Sequence, residues 1–174
     1  MTFNTTSLFL LHALRKGALL ERKPLRPLDE QKRHVLVTPE IDDLLDGRAQ
    51  FGEFPTVECE RLIAVFSAGW LVTVSRRITS EKPDIEQIEG CDEVWALCPR
   101  KPRPGWRILG RFHEKDVFVG LRAWDKHDLH GSYPRATAEV IKEWNVLFGT
   151  QPPHGGVEIG DYLSGVFKDV DDNA

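Results

Sequence analysis

The sequence predicts an α+β domain: a twisted antiparallel sheet, built as a meander, with two helices packed before it and one after it. Two observations carry this. Between 92 and 127, three short apolar runs are separated by polar breaks, the pattern of consecutive strands. On either side of that stretch, apolar residues recur with the helical period.

Taken in order, residues 1–33 form an N-terminal basic extension. Leu8, Leu11, Leu14 and Leu19–Leu20 hint at an amphipathic helix that Gly17 weakens, and seven Lys/Arg stand against three acids from Arg15 to Arg33. Mobility or partner docking is the expectation for such an arm. The apolar run Leu8–Leu14 contains His12 and has its positive charges after it, so it does not read as a signal peptide. No stretch reaches the ~18–20 apolar residues of a membrane span.

The α+β domain is placed at 34–149. His34–Val37 is a β-branched run, and Thr38-Pro39-Glu40 then signals a helix start, with Thr38 as N-cap and Pro39 in the first turn. Ile41, Leu44 and Leu45 make that helix's apolar side, and Gly47 ends it. Pro55 opens a second helix in which Cys59, Leu62, Ile63 and Phe66 repeat at helical spacing up to Gly69. Trp70–Ser75 is β-prone, and Arg76–Glu89 reads as a polar connection.

The meander strands fall at about 92–98, 106–112 and 117–124. A proline-rich break around Arg100–Gly105 separates the first two, and His113–Asp116 is of hairpin-loop length. Thr137, Val140, Ile141, Trp144, Leu147 and Phe148 then form the stripe of a helix closed by Gly149, a core helix or a lid over the sheet. Residues 150–174 are a C-terminal acidic extension, with an apolar pattern at Ile159, Tyr162, Leu163, Val166 and Phe167 before the final aspartates.

Charge points to function. The chain of 174 residues has net charge −4 and pI near 5.9, with 41% hydrophobic and 29% charged residues, which excludes a surface coated in base. Yet Val94–His127 holds eight Lys/Arg against three acids, while 34–93 holds thirteen acids against five bases. Strand alternation puts Arg107, Leu109 and Arg111 on one face of the middle strand, and Trp106, Ile108, Gly110 and Phe112 on the core face. On the last strand Val117, Val119, Leu121 and Ala123 are expected inside, with Phe118, Gly120, Arg122 and Trp124 opposite. Arg107, Arg111 and Arg122 beside aromatic rings would make a surface for RNA, with Arg100, Lys101, Arg103, Lys115 and Trp124 as flanking contacts. A solvated sheet face carrying arginines for solubility alone is the plainer alternative.

His34–Leu45 (His-Val-Leu-Val-Thr-Pro-Glu-Ile-Asp-Asp-Leu-Leu), the helix at 55–68, Asp92-Glu-Val-Trp-Ala-Leu, Gly105-Trp-Arg-Ile-Leu and the strand ending Arg122-Ala-Trp-Asp-Lys-His resemble the RelE/ParE toxin superfamily over about 34–127. The resemblance implies a RelE-like fold and the bacterial toxin of a toxin–antitoxin pair. It would be either a ribosome-dependent mRNA endonuclease or a gyrase inhibitor, with an antitoxin protein and the ribosome with its mRNA as partners. It also implies that Arg107 contacts the scissile phosphate and that Lys126 falls at the family's terminal basic pair. The pair here reads Lys126-His127, the chain is acidic, and both ends are extended.

Metal-free RNA cleavage needs a base for the 2′-hydroxyl, cations for the transition state and an acid for the leaving oxygen. Lys126, His127 or His113 would serve as base or acid, and Arg107, Arg111 and Arg122 as the clamp. Asp125, His127, Asp128 and His130 are metal-ligand types without a standard spacing, so neither metal nor cofactor is expected. Phosphate-loop, Gly-x-Ser-x-Gly and His-Glu-x-x-His signatures do not occur. Cys59, Cys91 and Cys98 form no Cys-x-x-Cys pair and their odd count suggests no disulfide framework, which fits a reducing cytoplasm. A non-catalytic protein-interaction module of the same fold is the second reading.

Overall fold

The computed structural model describes residues 8–24, 29–49, 53–77, 82–103 and 105–171. At its centre are β6 (Trp106–Glu114) and β7 (Val117–Asp125), two nine-residue strands joined through Lys115-Asp116. Asp116 turns the chain at φ 65°, a left-handed conformation that Asp tolerates better than most residues. The Asp116 carboxylate also accepts bonds from the Ser164 amide at 2.7 Å and the Ser164 hydroxyl at 2.6 Å, so the turn anchors the C-terminal segment.

The rest of the sheet is laid down on both flanks. β1 (Leu20–Arg22) and β2 (His34–Val37) extend one side, and β5 (Trp95–Leu97), β4 (Ile85–Gln87), β3 (Val72–Ser75) and β8 (Phe167–Asp169) extend the other, in the order β1-β2-β7-β6-β5-β4-β3-β8. The ladders β2–β7, β3–β4 and β3–β8 are parallel and the others antiparallel.

This corrects the expected fold class. Eight strands in a mixed sheet, with six helices among the described residues, replace an antiparallel RelE-like meander with two helices before it and one after. The reason is long-range pairing. β2 is captured by β7 in parallel, and both stretches read as extensions supply strands: β1 pairs with β2, and β8 pairs with β3. β4 comes from the supposed polar connection, where Ile85 is the one apolar residue of Ile-Glu-Gln.

The helices sandwich the sheet. α2 (Pro39–Leu45), α3 (Thr56–Ser67) and α6 (Ile159–Tyr162) cover one face, where Ile41, Leu62, Phe66 and Tyr162 pack with Val35, Trp95, Ile108, Phe112 and Phe118. α1 (Leu8–Arg15), α4 (Lys126–Leu129) and α5 (Tyr133–Phe148) cover the other, where Leu10, Leu129, Val140 and Trp144 pack with Leu36, Ala96, Leu109, Val119 and Leu121. α2 begins at Pro39 as expected, but the Thr38 hydroxyl is buried without a partner and makes no capping bond.

Covered on both sides, β6 is buried from Trp106 to His113, so the distinction between a core face and a solvent face does not apply to it. A register shift between Leu109 and Gly110 pairs Leu109 with Arg122 and Gly110 with Gly120, leaving Leu121 as the extra residue. Beyond that bulge the faces of β7 exchange. Ala123 joins the cluster of Phe118, and Trp124 joins that of Val119 and Leu121, opposite to strict alternation. The strands approach closely here, since a Cβ on Gly110 would lie 2.0 Å from the Val119 carbonyl oxygen.

Candidate functional site

Three places hold the chemistry-bearing side chains, and the first is the sheet face beneath α5. Arg107 is 3% exposed, donates from Nε to Glu86 Oε1 at 2.6 Å, and bonds the Trp106 carbonyl at 2.9 Å. Burial acts to lower its pKa, but the Glu86 carboxylate, by its charge and its hydrogen bond, helps carry it above the ordinary value and keeps the guanidinium charged. Arg111 is 2% exposed, donates to the carbonyl (2.5 Å) and carboxylate (2.8 Å) of Asp92, and lies 5.6 Å from the Trp144 ring centre. Arg122 is half-buried between Glu40 at 2.6 Å and Glu143 at 2.9 Å. The three arginines share one side of the sheet, and α5 is what lies over them. Each is engaged within the chain.

The second place is one end of the sheet. The Lys126 amide bonds the Gly105 carbonyl at 2.9 Å, which brings α4 beside the β5–β6 connection. Lys101, Arg103, Lys126 and His127 are all exposed there. Arg100 instead folds inward, with Nη2 on the Pro83 carbonyl and Nε buried without a partner; burial lowers its pKa. Trp124 is half-buried, with the Arg135 guanidinium 6.0 Å from its ring centre. Lys115 lies at the opposite end, in the β6–β7 turn, and donates to the Gly160 carbonyl at 2.5 Å. The candidate catalytic and RNA-contacting residues are thus divided between a covered face and both ends of the sheet.

His113 is buried too, its ring tilted against that of Phe148 with centres 5.2 Å apart and bonded to Gln151 Nε2 at 3.2 Å, and its Nδ1 has no partner. Burial lowers its pKa, and His154 adds to the shift. Among the described residues no group of three or more His, Cys, Asp or Glu is placed to hold a metal ion. Cys59, Cys91 and Cys98 are free, and burial drives the Cys59 and Cys98 thiols far above their ordinary pKa. No helix among the described residues is long and apolar enough to cross a membrane.

The third place is the rim made by β3 and β8, which the sequence reading did not single out. Trp70, Leu71 and Val166 are 55%, 57% and 57% exposed, and they immediately precede the ladder in which Val72 pairs with Phe167. Arg33, wholly buried, fixes them. Its guanidinium donates to the carbonyls of Ser164 (3.0 and 2.6 Å), Trp70 (3.3 Å) and Val166 (3.1 Å), and lies 5.4 Å from the Phe66 ring centre. Burial lowers the Arg33 pKa, and Asp116 at 3.9 Å opposes that.

Beside the rim, a cleft of about 710 Å³ opens between the end of β3, the loop before α6, and β8. Arg76, Arg77, Val157, Phe167, Asp169 and Asp171 line it. Its wall is held by Tyr162, whose hydroxyl donates to Glu93 at 2.6 Å and accepts from the Gly156 amide at 2.8 Å; burial and the Glu93 carboxylate push that hydroxyl up to about 12. One signal of the rim was present in the sequence. Trp70-Leu71-Val72 places large apolar groups at both parities of a strand, so one of them must face solvent or a partner unless both faces are covered. The chain matches no family model, no curated protein and no solved structure.

Proposed function

We propose that this protein is a non-catalytic interaction module that holds a protein partner on the β3–β8 rim. The observation that carries this is the apolar patch of Trp70, Leu71 and Val166, anchored from beneath by the buried Arg33. Desolvating a guanidinium is costly, and here its N–H groups are satisfied by carbonyls of the two segments that display the patch. The result is a stiff apolar surface at a sheet edge, the kind of surface that marks protein association. A photo-crosslinking amino acid at Leu71 should yield one discrete protein adduct in the native host, lost in Trp70→Asp. The same probe at Val57, more open still on α3, should yield none. Absence of an adduct at Leu71, or equal adducts at both positions, would count against this reading.

A toxin component acting on translation-linked RNA is the second reading, and the exposed cations Lys101, Arg103, Lys126 and His127 at one end of the sheet favour it. Its partners would be an antitoxin protein and the ribosome with its mRNA. Under this reading phosphate is met at the end of the sheet rather than on the face where Arg107 and Arg111 are engaged. Induced expression separates the two. Growth arrest with cut transcripts supports the nuclease, arrest with intact transcripts supports a gyrase-directed toxin, and unaffected growth without antitoxin leaves the interaction module.

A further inference from the structure

The geometry points to β8 as a rail on which an extended segment of the partner protein adds as a further strand, recognised by apolar, basic and acidic side chains at alternate positions. This rests on the interaction-module reading and specifies its chemistry. Three observations carry it.

The first is the edge itself. β8 is the last strand in the sheet order, and the Val170 amide bonds the Val74 carbonyl at 3.0 Å. Main-chain groups alternate in direction along a strand, so Lys168 and Val170 face β3 while Phe167 and Asp169 direct their N–H and C=O groups outward. No described strand pairs with them. The next outward amide, that of Asp171, is closed off by Asp169 Oδ1 at 2.9 Å, so the open edge is short and has a defined end.

The second is the cleft. Phe167, Asp169 and Asp171 line it because alternate residues of the β8 segment share one face. A strand added beside β8 in register would therefore place every second side chain over this cleft. Main-chain bonds then supply affinity, and the cleft supplies selectivity.

The third is which charges there are already engaged. Asp171 accepts from the Ser75 hydroxyl at 2.7 Å and the Arg76 amide at 2.6 Å. Glu158 caps α6. Arg76 is held by Gln87 at 2.9 Å and by the Gly156 and Val157 carbonyls. On the wall made by β3, the turn after it and β8, what is left without a described partner is Asp169 Oδ2 and the exposed guanidinium of Arg77; on the facing loop it is the second carboxylate oxygen of Glu158. Along the cleft the order is thus Phe167, then a carboxylate, then a guanidinium at the far end of β3. Its complement is an apolar, a basic and an acidic side chain at positions i, i+2 and i+4.

The test uses synthetic acetylated heptapeptides on a threonine background, titrated against the full chain by fluorescence anisotropy. One carries Leu, Arg and Glu at its second, fourth and sixth positions, and another carries them in reverse order, so that both parallel and antiparallel addition are covered. One of the two should bind, and exchanging its Arg and Glu should weaken binding at least tenfold. Arg77→Glu should do the same, and replacing the peptide's Glu by Arg should restore binding to that variant. N-methylation of the peptide amides that meet β8 should abolish binding without any change to the protein, and Asp169→Pro, which removes an outward N–H, should agree. The proposal is overturned if neither peptide binds, if charge order has no effect, or if N-methylation at every position is tolerated. It is also overturned if sedimentation equilibrium shows a dimer that Asp169→Pro dissolves, since the edge would then belong to a second copy of this chain. The Leu71 crosslink is scored separately, so the module reading can stand while strand addition fails.

Discussion

The sheet face under α5 and the β3–β8 rim dispose of charged and apolar side chains in opposite ways. Under α5, Arg107 and Arg111 are almost completely enclosed, paired with Glu86 and Asp92 and, for Arg111, laid against Trp144. At the rim Trp70, Leu71 and Val166 are open to solvent, while the guanidinium of Arg33 is inside. The lesson is that formal charge along a sequence is not surface charge. A basic stretch reads as a binding face only until its partners are located, and an apolar dipeptide reads as core only until the end of its strand is located.

Both regions are exposed to direct attack. The largest expected effect is at Trp144, which is fully buried, 4.3 Å from the Phe148 ring centre, and donates from Nε1 to the Gln151 carbonyl at 2.8 Å. Trp144→Ala should cost about 3–5 kcal/mol through lost burial and the cavity left behind, read as a fall in the urea midpoint. A loss under 1 kcal/mol would mean that α5 is not a true cover for the arginine face.

Arg107→Ala comes next. A solvated strand arginine would change stability by no more than about 0.5 kcal/mol. Enclosed and paired, its removal strands the Glu86 carboxylate and opens a cavity, so about 2–3 kcal/mol is expected, reduced from the range for deeply buried pairs because Glu86 is partly exposed. Arg107→Met should recover part of that loss, since an apolar group of similar volume removes the need for the pair. A double-mutant cycle with Glu86→Gln measures the coupling, and a coupling near zero would dissolve the contrast with the rim.

His113 tests the covered face by pH. Its pKa in the fold is held below the ordinary 6.5 by burial and by His154. Above that ordinary value neither the folded nor the unfolded chain binds the proton, and the site adds no pH dependence. As pH falls through 6.5 toward the depressed value, the unfolded chain takes up a proton that the folded one refuses, so stability drops. Urea midpoints at pH 7.5 and 5.5 should therefore differ more in the native chain than in His113→Phe. Equal differences would show that His113 is open to water.

Much of this was legible from residues alone, and the failures have physical causes. The cores of α2, α3 and α5 and the positions of β2, β3, β5, β6 and β7 follow from periodicity, Pro39 and the glycines at helix ends, because those signals are local. β4 and β8 are invisible locally: Ile-Glu-Gln becomes a strand because β5 and β3 flank it, and Phe-Lys-Asp because it pairs with β3. The face of Trp124 was misjudged because one extra residue at Leu121 reverses the alternation. The arginine face was read as open because its partners Glu86 and Asp92 stand 21 and 19 residues away in sequence, in segments whose place in the fold no local pattern reveals.

The smallest expected effect on stability is the one that bears most on function. Trp70→Asp exchanges an exposed apolar ring for a charge at a position where only the main-chain carbonyl is tied to Arg33, and that bond does not depend on the side chain. Its urea midpoint should correspond to a change within about 0.5 kcal/mol of the native chain. The Leu71 crosslink should nevertheless vanish, because a charge desolvated at an apolar contact is strongly disfavoured. If Trp70→Asp instead unfolds the protein, the ring is part of the core and the rim is no different from the face under α5. If it leaves both stability and crosslink untouched, the patch is ordinary surface. Only stability kept and capture lost supports a surface that this chain keeps open for a partner.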